Sequence, residues 1–294
     1  MILAKHKPFD SSKTRVVPVF NALSKNNNAK LREFLAFIAE HVTPITRCAS
    51  KIQASALKEY STIKIHYGKR NGKTDGVTVE PGEKRIAPRF EFLEWLILNA
   101  KTAKSEVGER AKLFSRDKKT QDAARKEALS LLRKHWNKNH VPKSWYILEG
   151  DTSPDVYIET DQYILVIEAK RTEPTLTDKT KWMKQRNQMV RHLHPLFADK
   201  SSHRPAYGLY IISRSAEEDP AFKMRKFPNH AAACETEYSD ERTWLDSAPD
   251  LGRTALNMRT MLLGYITWEE IIERFPEIGK YPYCVMEDGS LGYL

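Results

Sequence analysis

The chain has 294 residues, 40% hydrophobic and 29% charged, with a mean hydropathy of −0.58, a globular composition that excludes a disordered or fibrous chain. Its 48 Lys and Arg against 38 Asp and Glu leave a formal net charge of +10, which suits either a merely solvated surface or a polyanionic partner, nucleic acid or an anionic membrane surface. No apolar run approaches the ~20 residues of a membrane span, and the opening MILAKHKPFD lacks the apolar core of a signal peptide.

In chain order, residues 1–27 read as a loosely held arm ending in a polar run. Residues 29–42 place Leu31, Leu35, Ile38 and Val42 at helical spacing, and a second helix is expected over 48–60. Residues 61–80 read as a hairpin. Ile63, Ile65 and Tyr67 alternate with polar residues, and Asn71-Gly72 and Asp75-Gly76 are turn pairs. The hairpin and its exit carry Lys64, Lys69, Arg70, Lys73, Lys84, Arg85 and Arg89, either a solvated loop or a ribbon touching phosphates.

Helices are expected over 90–103 and 117–137, and Pro142 stops helical structure. Three strands follow, at 145–149, 155–159 and 163–170, with turn chemistry between them. A helix over 178–198 and a buried strand over 207–213 complete an α/β unit around a mixed sheet. Residues 214–252 are loop-rich. Helical pieces are expected at 253–263 and 267–275, the latter capped by Thr267.

Three widely spaced cysteines, Cys48, Cys234 and Cys284, form no CxxC pair. They argue against a disulfide framework or zinc ribbon and suit a reducing cytoplasm. The Gly-rich phosphate loops GxxxxGK[ST] and GxGxxG are absent, as is GxSxG, so nucleotide hydrolysis, dinucleotide chemistry and acyl transfer have no support.

The informative segment is ILEGDTSPDVYIETDQYILVIEAK, residues 147–170. Period-two alternation puts Glu168 and Lys170 on one face of an otherwise apolar strand. Charges there are costly unless they are paired or bind something. A tight connection would bring Asp155, at the start of the neighbouring strand, toward Glu168. Two carboxylates beside a lysine suit Mg2+, which binds through one or two carboxylates and substrate phosphate, with Mn2+ a possible substitute. Glu149 is a further candidate ligand or an anchor behind the ligands. A structural ion pair is the competing reading.

Pro154-Asp155 followed thirteen positions later by Glu168-Ala169-Lys170 resembles the PD-(D/E)xK nuclease superfamily, with its restriction-endonuclease-like fold. The wording VIEAKR is similar to the nuclease domain of type I restriction motor subunits. The longer run EGDTSPDVYIE to QMVRH resembles uncharacterised bacterial proteins with this core. The resemblance covers roughly residues 120–215. In that branch a QxxxY motif on the next helix completes the site; here Gln188 matches the glutamine and His192 replaces the tyrosine. Another acidic residue often comes from the preceding helix, for which Glu127 and Asp122 compete.

The expectation is an α/β protein with a restriction-endonuclease-like core at 90–215. A basic N-terminal region with helices and a hairpin occupies 1–89, and a loop-rich and helical extension 216–294. The expected activity is Mg2+-dependent phosphodiester hydrolysis, with DNA favoured over RNA and a homodimer possible. The alternative is an inactive nucleic-acid-binding or assembly subunit. Asp155 and Glu168 would hold the metal, Lys170 would be the catalytic cation and Gln188 its assistant. Lys64, Lys69, Arg70, Lys73 and Arg171 would contact nucleic acid. Residues 1–150 hold 30 basic and 15 acidic residues (30 − 15 = +15), and 151–294 hold 18 and 23 (18 − 23 = −5). Grip is thus expected before the crossover and chemistry after it.

Overall fold

The computed structural model describes residues 15–45, 54–68, 82–101, 106–137, 139–170, 182–183, 186–197, 204–213, 230–239, 242, 246, 248, 261–278, 284–285 and 291–292. It is an α/β structure around a five-stranded mixed sheet. The strands are β1 (Ile63–Tyr67), β2 (Val156–Thr160), β3 (Ile164–Ala169), β4 (Ala206–Ile212) and β5 (Leu262–Thr267), lying in that order across the sheet. The pairs β1–β2 and β2–β3 are antiparallel; β3–β4 and β4–β5 are parallel. The central strand β3, ILVIEA, is buried along its whole length, as its unbroken apolar run requires. The edge strand β1 is half open.

Helices cover both faces. On one face, Val156, Leu165, Ile167, Leu209 and Ile211 pack against α1 (Val17–Leu23), α2 (Lys25–His41) and α7 (Trp268–Arg274). On the other, Tyr157, Val166, Tyr210 and Ile212 pack against α5 (Gln188–Phe197) and α6 (His230–Ser239). Each fully buried aliphatic side chain contributes about 1.5–3 kcal/mol. A third cluster joins α3 (Phe90–Asn99) and α4 (Lys118–His135) to residues 141–148. No helix among the described residues is long and apolar enough to cross a membrane.

Several expectations are corrected. The arm expected over 1–27 contains α1; Val16, just before it, and its Val19, Phe20 and Leu23 are buried. Their i, i+3, i+4, i+7 spacing makes one apolar helical stripe. Residues 145–149 form turns rather than a strand. The Arg110 guanidinium donates to the carbonyls of Trp145 (2.8 Å) and Ser144 (2.9 Å), which takes acceptors a strand ladder would need. Ile63–Tyr67 occupies the place beside β2 instead. Of the helix expected over 178–198, the described part runs from Gln188, where Asn187 Oδ1 accepts from the Val190 amide at 2.8 Å and caps the first turn; residues 178–181, 184–185 and 198 lie outside the described residues. Residues 262–263, expected to end a helix, open strand β5. The expected cap is present: Thr267 and Glu270 form a reciprocal capping box on α7. The sheet therefore draws β1 from residues 1–89 and β5 from 216–294. Residues 69–81 and 253–260, where the return of the hairpin and most of a helix were expected, lie outside the described residues.

Gly264 has φ +138°, a region that L side chains rarely adopt. An added Cβ would sit 1.9 Å from the Thr43 carbonyl oxygen, which accepts from the Tyr265 amide across a bridge. Gly264→Ala is expected to lower stability by about 2–4 kcal/mol through strain and overpacking together. Urea unfolding measures it, and a loss below about 1 kcal/mol would refute the close approach.

Candidate active site

The site forms where β2 begins and β3 ends. Val156 stands opposite Ile167 and Tyr157 opposite Val166. One further residue places Asp155 opposite Glu168, on the same face of the sheet. Asp155 Oδ2 accepts from the Ala169 amide at 2.8 Å, which ties the carboxylate to the end of β3. The backbone of Lys170 is fixed on two sides: its amide donates to the Ile211 carbonyl (2.7 Å) and its carbonyl accepts from Trp268 Nε1 (3.1 Å).

Glu168 is 2% exposed and Lys170 8%. Lys170 Nζ donates to Glu168 Oε1 at 2.8 Å and to Gln188 Oε1 at 3.3 Å. The other oxygen, Glu168 Oε2, lies 3.1 Å from His192 Nε2, and His192 Nδ1 lies 3.0 Å from Thr152 Oγ1. Burial, reinforced by the Arg191 charge, lowers the His192 pKa to about 3. The ring is therefore neutral. With a carboxylate at Nε2, the consistent tautomer donates from Nε2 and accepts the threonine hydroxyl at Nδ1. Thr152 is held in turn by paired backbone bonds to Ile86 (2.8 and 2.9 Å). A continuous chain thus runs Thr152–His192–Glu168–Lys170–Gln188. Gln188 and His192 are four residues apart, so one face of α5 presents both.

The structure therefore brings together Asp155, Glu168, Lys170 and Gln188. His192 and Thr152 are additions to the expected set. The sequence signal for His192 was its helical phase with Gln188; Thr152 gave none. His194, two residues on, turns elsewhere, with Nδ1 3.1 Å from Arg186 Nη1.

Glu149 makes no hydrogen bond to this cluster, but its charge acts on His192. Arg186 holds it in a fork, Nη2 to Oε1 at 2.8 Å and Nε to Oε2 at 2.7 Å, which makes it half of a buried ion pair beside the cluster. Glu127 is exposed on α4 and Asp122 pairs with Lys118 at 2.8 Å. The buried face of α4 is Ala124, Ala128 and Leu132, so neither acid points toward β3. Lys64 lies on β1 opposite Glu159. Lys69, Arg70, Lys73 and Arg171 lie outside the described residues.

Among the described residues no group of three or more His, Cys, Asp or Glu side chains is placed to hold a metal ion. Asp155 and Glu168 make a two-carboxylate set. That set does not suit zinc, which takes three or four protein ligands. It does suit Mg2+, which keeps several waters and is satisfied by one or two carboxylates plus a phosphate oxygen. Glu168 also accepts from Lys170 and faces His192, which holds its carboxylate in place.

No family model, curated protein or solved structure matches the chain.

Proposed function

We propose that this protein is a Mg2+-dependent nuclease that hydrolyses phosphodiester bonds, with DNA the favoured substrate, on a restriction-endonuclease-like core in the cytoplasm. The observation that carries the reading is the Lys170 ammonium, held between Glu168 and Gln188 with Asp155 on the facing strand. Asp155 and Glu168 would hold the ion. Bound there, Mg2+ supplies a water of lowered pKa and neutralises charge on the scissile phosphate.

The chain's own residues do the rest. Lys170 orients the attacking water and offsets the charge that grows on the pentavalent phosphorus group. Gln188 fixes the ammonium, and the His192–Thr152 pair fixes the Glu168 carboxylate, as residues behind metal ligands commonly do. No covalent intermediate is needed. A double-strand cut by a one-site enzyme calls for two copies, which makes a homodimer part of the same proposal.

The test is a cleavage panel of single-stranded, double-stranded, nicked and branched DNA, with matching RNA, in Mg2+ or Mn2+. Wild-type protein is expected to cut, and Asp155→Asn to lose at least about 100-fold in rate while still binding. Absence of divalent-dependent cutting on every substrate would favour an inactive nucleic-acid-binding or assembly subunit, with Glu168–Lys170 reduced to a structural pair.

A further inference from the structure

Asp155, Tyr157 and Glu159 alternate along β2 on one face of the sheet. Tyr157, one step of two residues and about 7 Å beyond Asp155, also lines a cleft of about 610 Å3. Tyr157 lies in its floor and Trp136 in its wall, and its cations are Lys84, Arg85, Arg89 and Arg204 against a single carboxylate, Glu91. The Lys84 ammonium stands 5.5 Å from the centre of the Tyr157 ring.

All three arginines rest on carboxylates: Arg85 on Glu83 (3.0 Å), Arg89 on Glu91 (3.4 Å) and Arg204 on Glu159 (2.8 Å). Solvent-accessible pairs of this kind contribute little to stability, so a phosphate can replace the carboxylate at small cost. Beyond Asp155, Glu159 is the acid on the β2 track, and Arg204, Lys84 and Lys64 surround it and hold its pKa down. Its charge is therefore answered before any polyanion arrives.

We propose that this cleft binds the single-stranded segment of nucleic acid next to the scissile phosphate, an inference that rests on the nuclease reading. Cations interleaved with aromatic side chains are how proteins hold single strands without reading sequence. The volume lies in the range of small-ligand clefts, which suits a short stretch of single strand.

The probe is a fluorescein-labelled twelve-residue oligothymidylate, titrated in EDTA so that cleavage cannot intervene, across a salt series. Wild-type protein is expected to bind it more tightly than the matched duplex. Lys84→Gln/Arg85→Gln removes two contacts and is expected to flatten the dependence of log K on log salt by about 1.4, at roughly 0.7 per single-strand contact. Both side chains reach an open cleft, and equal melting temperatures establish that the variant folds. An unchanged slope, tighter binding of duplex, or no binding by wild type would overturn the proposal. Strand binding with the expected slope change but no divalent-dependent cutting would support the cleft and overturn the catalytic reading instead.

Discussion

Lys170→Gln is expected to lower kcat for phosphodiester hydrolysis about 1,000-fold with little change in KM, because removing one preorganised charge-stabilising donor costs roughly 100- to 1,000-fold and here the donor carries a full charge. Glutamine can still donate to Glu168, so the carboxylate does not lose its partner outright. Gln188 touches the reaction through Lys170. Gln188→Ala should therefore cost less, about 10- to 100-fold, the usual range for residues behind a ligand. The double variant should be no slower than Lys170→Gln alone, since residues acting as a unit are not additive. His192→Asn belongs to the Gln188 class, acting through Glu168. The readout is kcat and KM under saturating Mg2+, with urea unfolding alongside. Wild-type turnover in Lys170→Gln would end the assignment of Lys170 as the catalytic cation. Additive losses in the double variant would separate Gln188 from it.

The α/β class and the chemistry-bearing strands were readable because local rules and the global fold agree there. Strand β3 is apolar on both faces except at its end, and that exception is the candidate site. Asp155 reaches Glu168 because the turn between β2 and β3 is short, which fixes an antiparallel register. What could not be read is long-range. Residues 145–149 have strand composition, but Arg110, some 35 positions earlier, takes their carbonyls. Ile63–Tyr67 was recognised as a strand, yet its partner β2 lies about 93 residues on in sequence, a pairing that alternation alone cannot specify. Leu262–Thr267 was read partly as helix because Leu262 and Leu263 suit either period when the run is short.

The site shows the same division. Gln188 and His192 were placed correctly relative to each other by helical phase, both on the described helix Gln188–Phe197. Glu149 was expected as a ligand or as an anchor behind the ligands, and the sequence could not say what holds it. Its partner is Arg186, which has 0% exposed surface and lies 37 residues away. The sequence carries no signal for that pairing.

That buried pair supports the second large prediction. The Arg186 guanidinium grips Glu149 through two bonds, contacts His194, and lies 3.7 Å from the centre of the Phe92 ring. Residue 149 ends the segment that packs with α3 and α4, and Arg186 stands two residues before Gln188. The pair therefore bolts the helical layer to the helix that carries the site. Glu149→Leu strands a fully buried cation, and breaking such a pair costs about 3–5 kcal/mol. Arg186→Met leaves Glu149 with only Arg191, whose Nε lies 3.8 Å from Oε2, and should cost less than Glu149→Leu. Glu149→Leu/Arg186→Met removes both halves of the fork, so it should be more stable than Glu149→Leu alone, because apolar replacement of a buried pair is often near neutral. Urea unfolding of the four proteins closes the cycle. A Glu149→Leu loss within about 1 kcal/mol, or a double variant as unstable as the sum of the singles, would show that the fork is not the bolt. Activity supplies an independent reading. If the pair sets the start of α5, the single variants should lower kcat more than they raise KM, because the Gln188 contact with Lys170 is displaced while the strand-binding face of β2 is left in place.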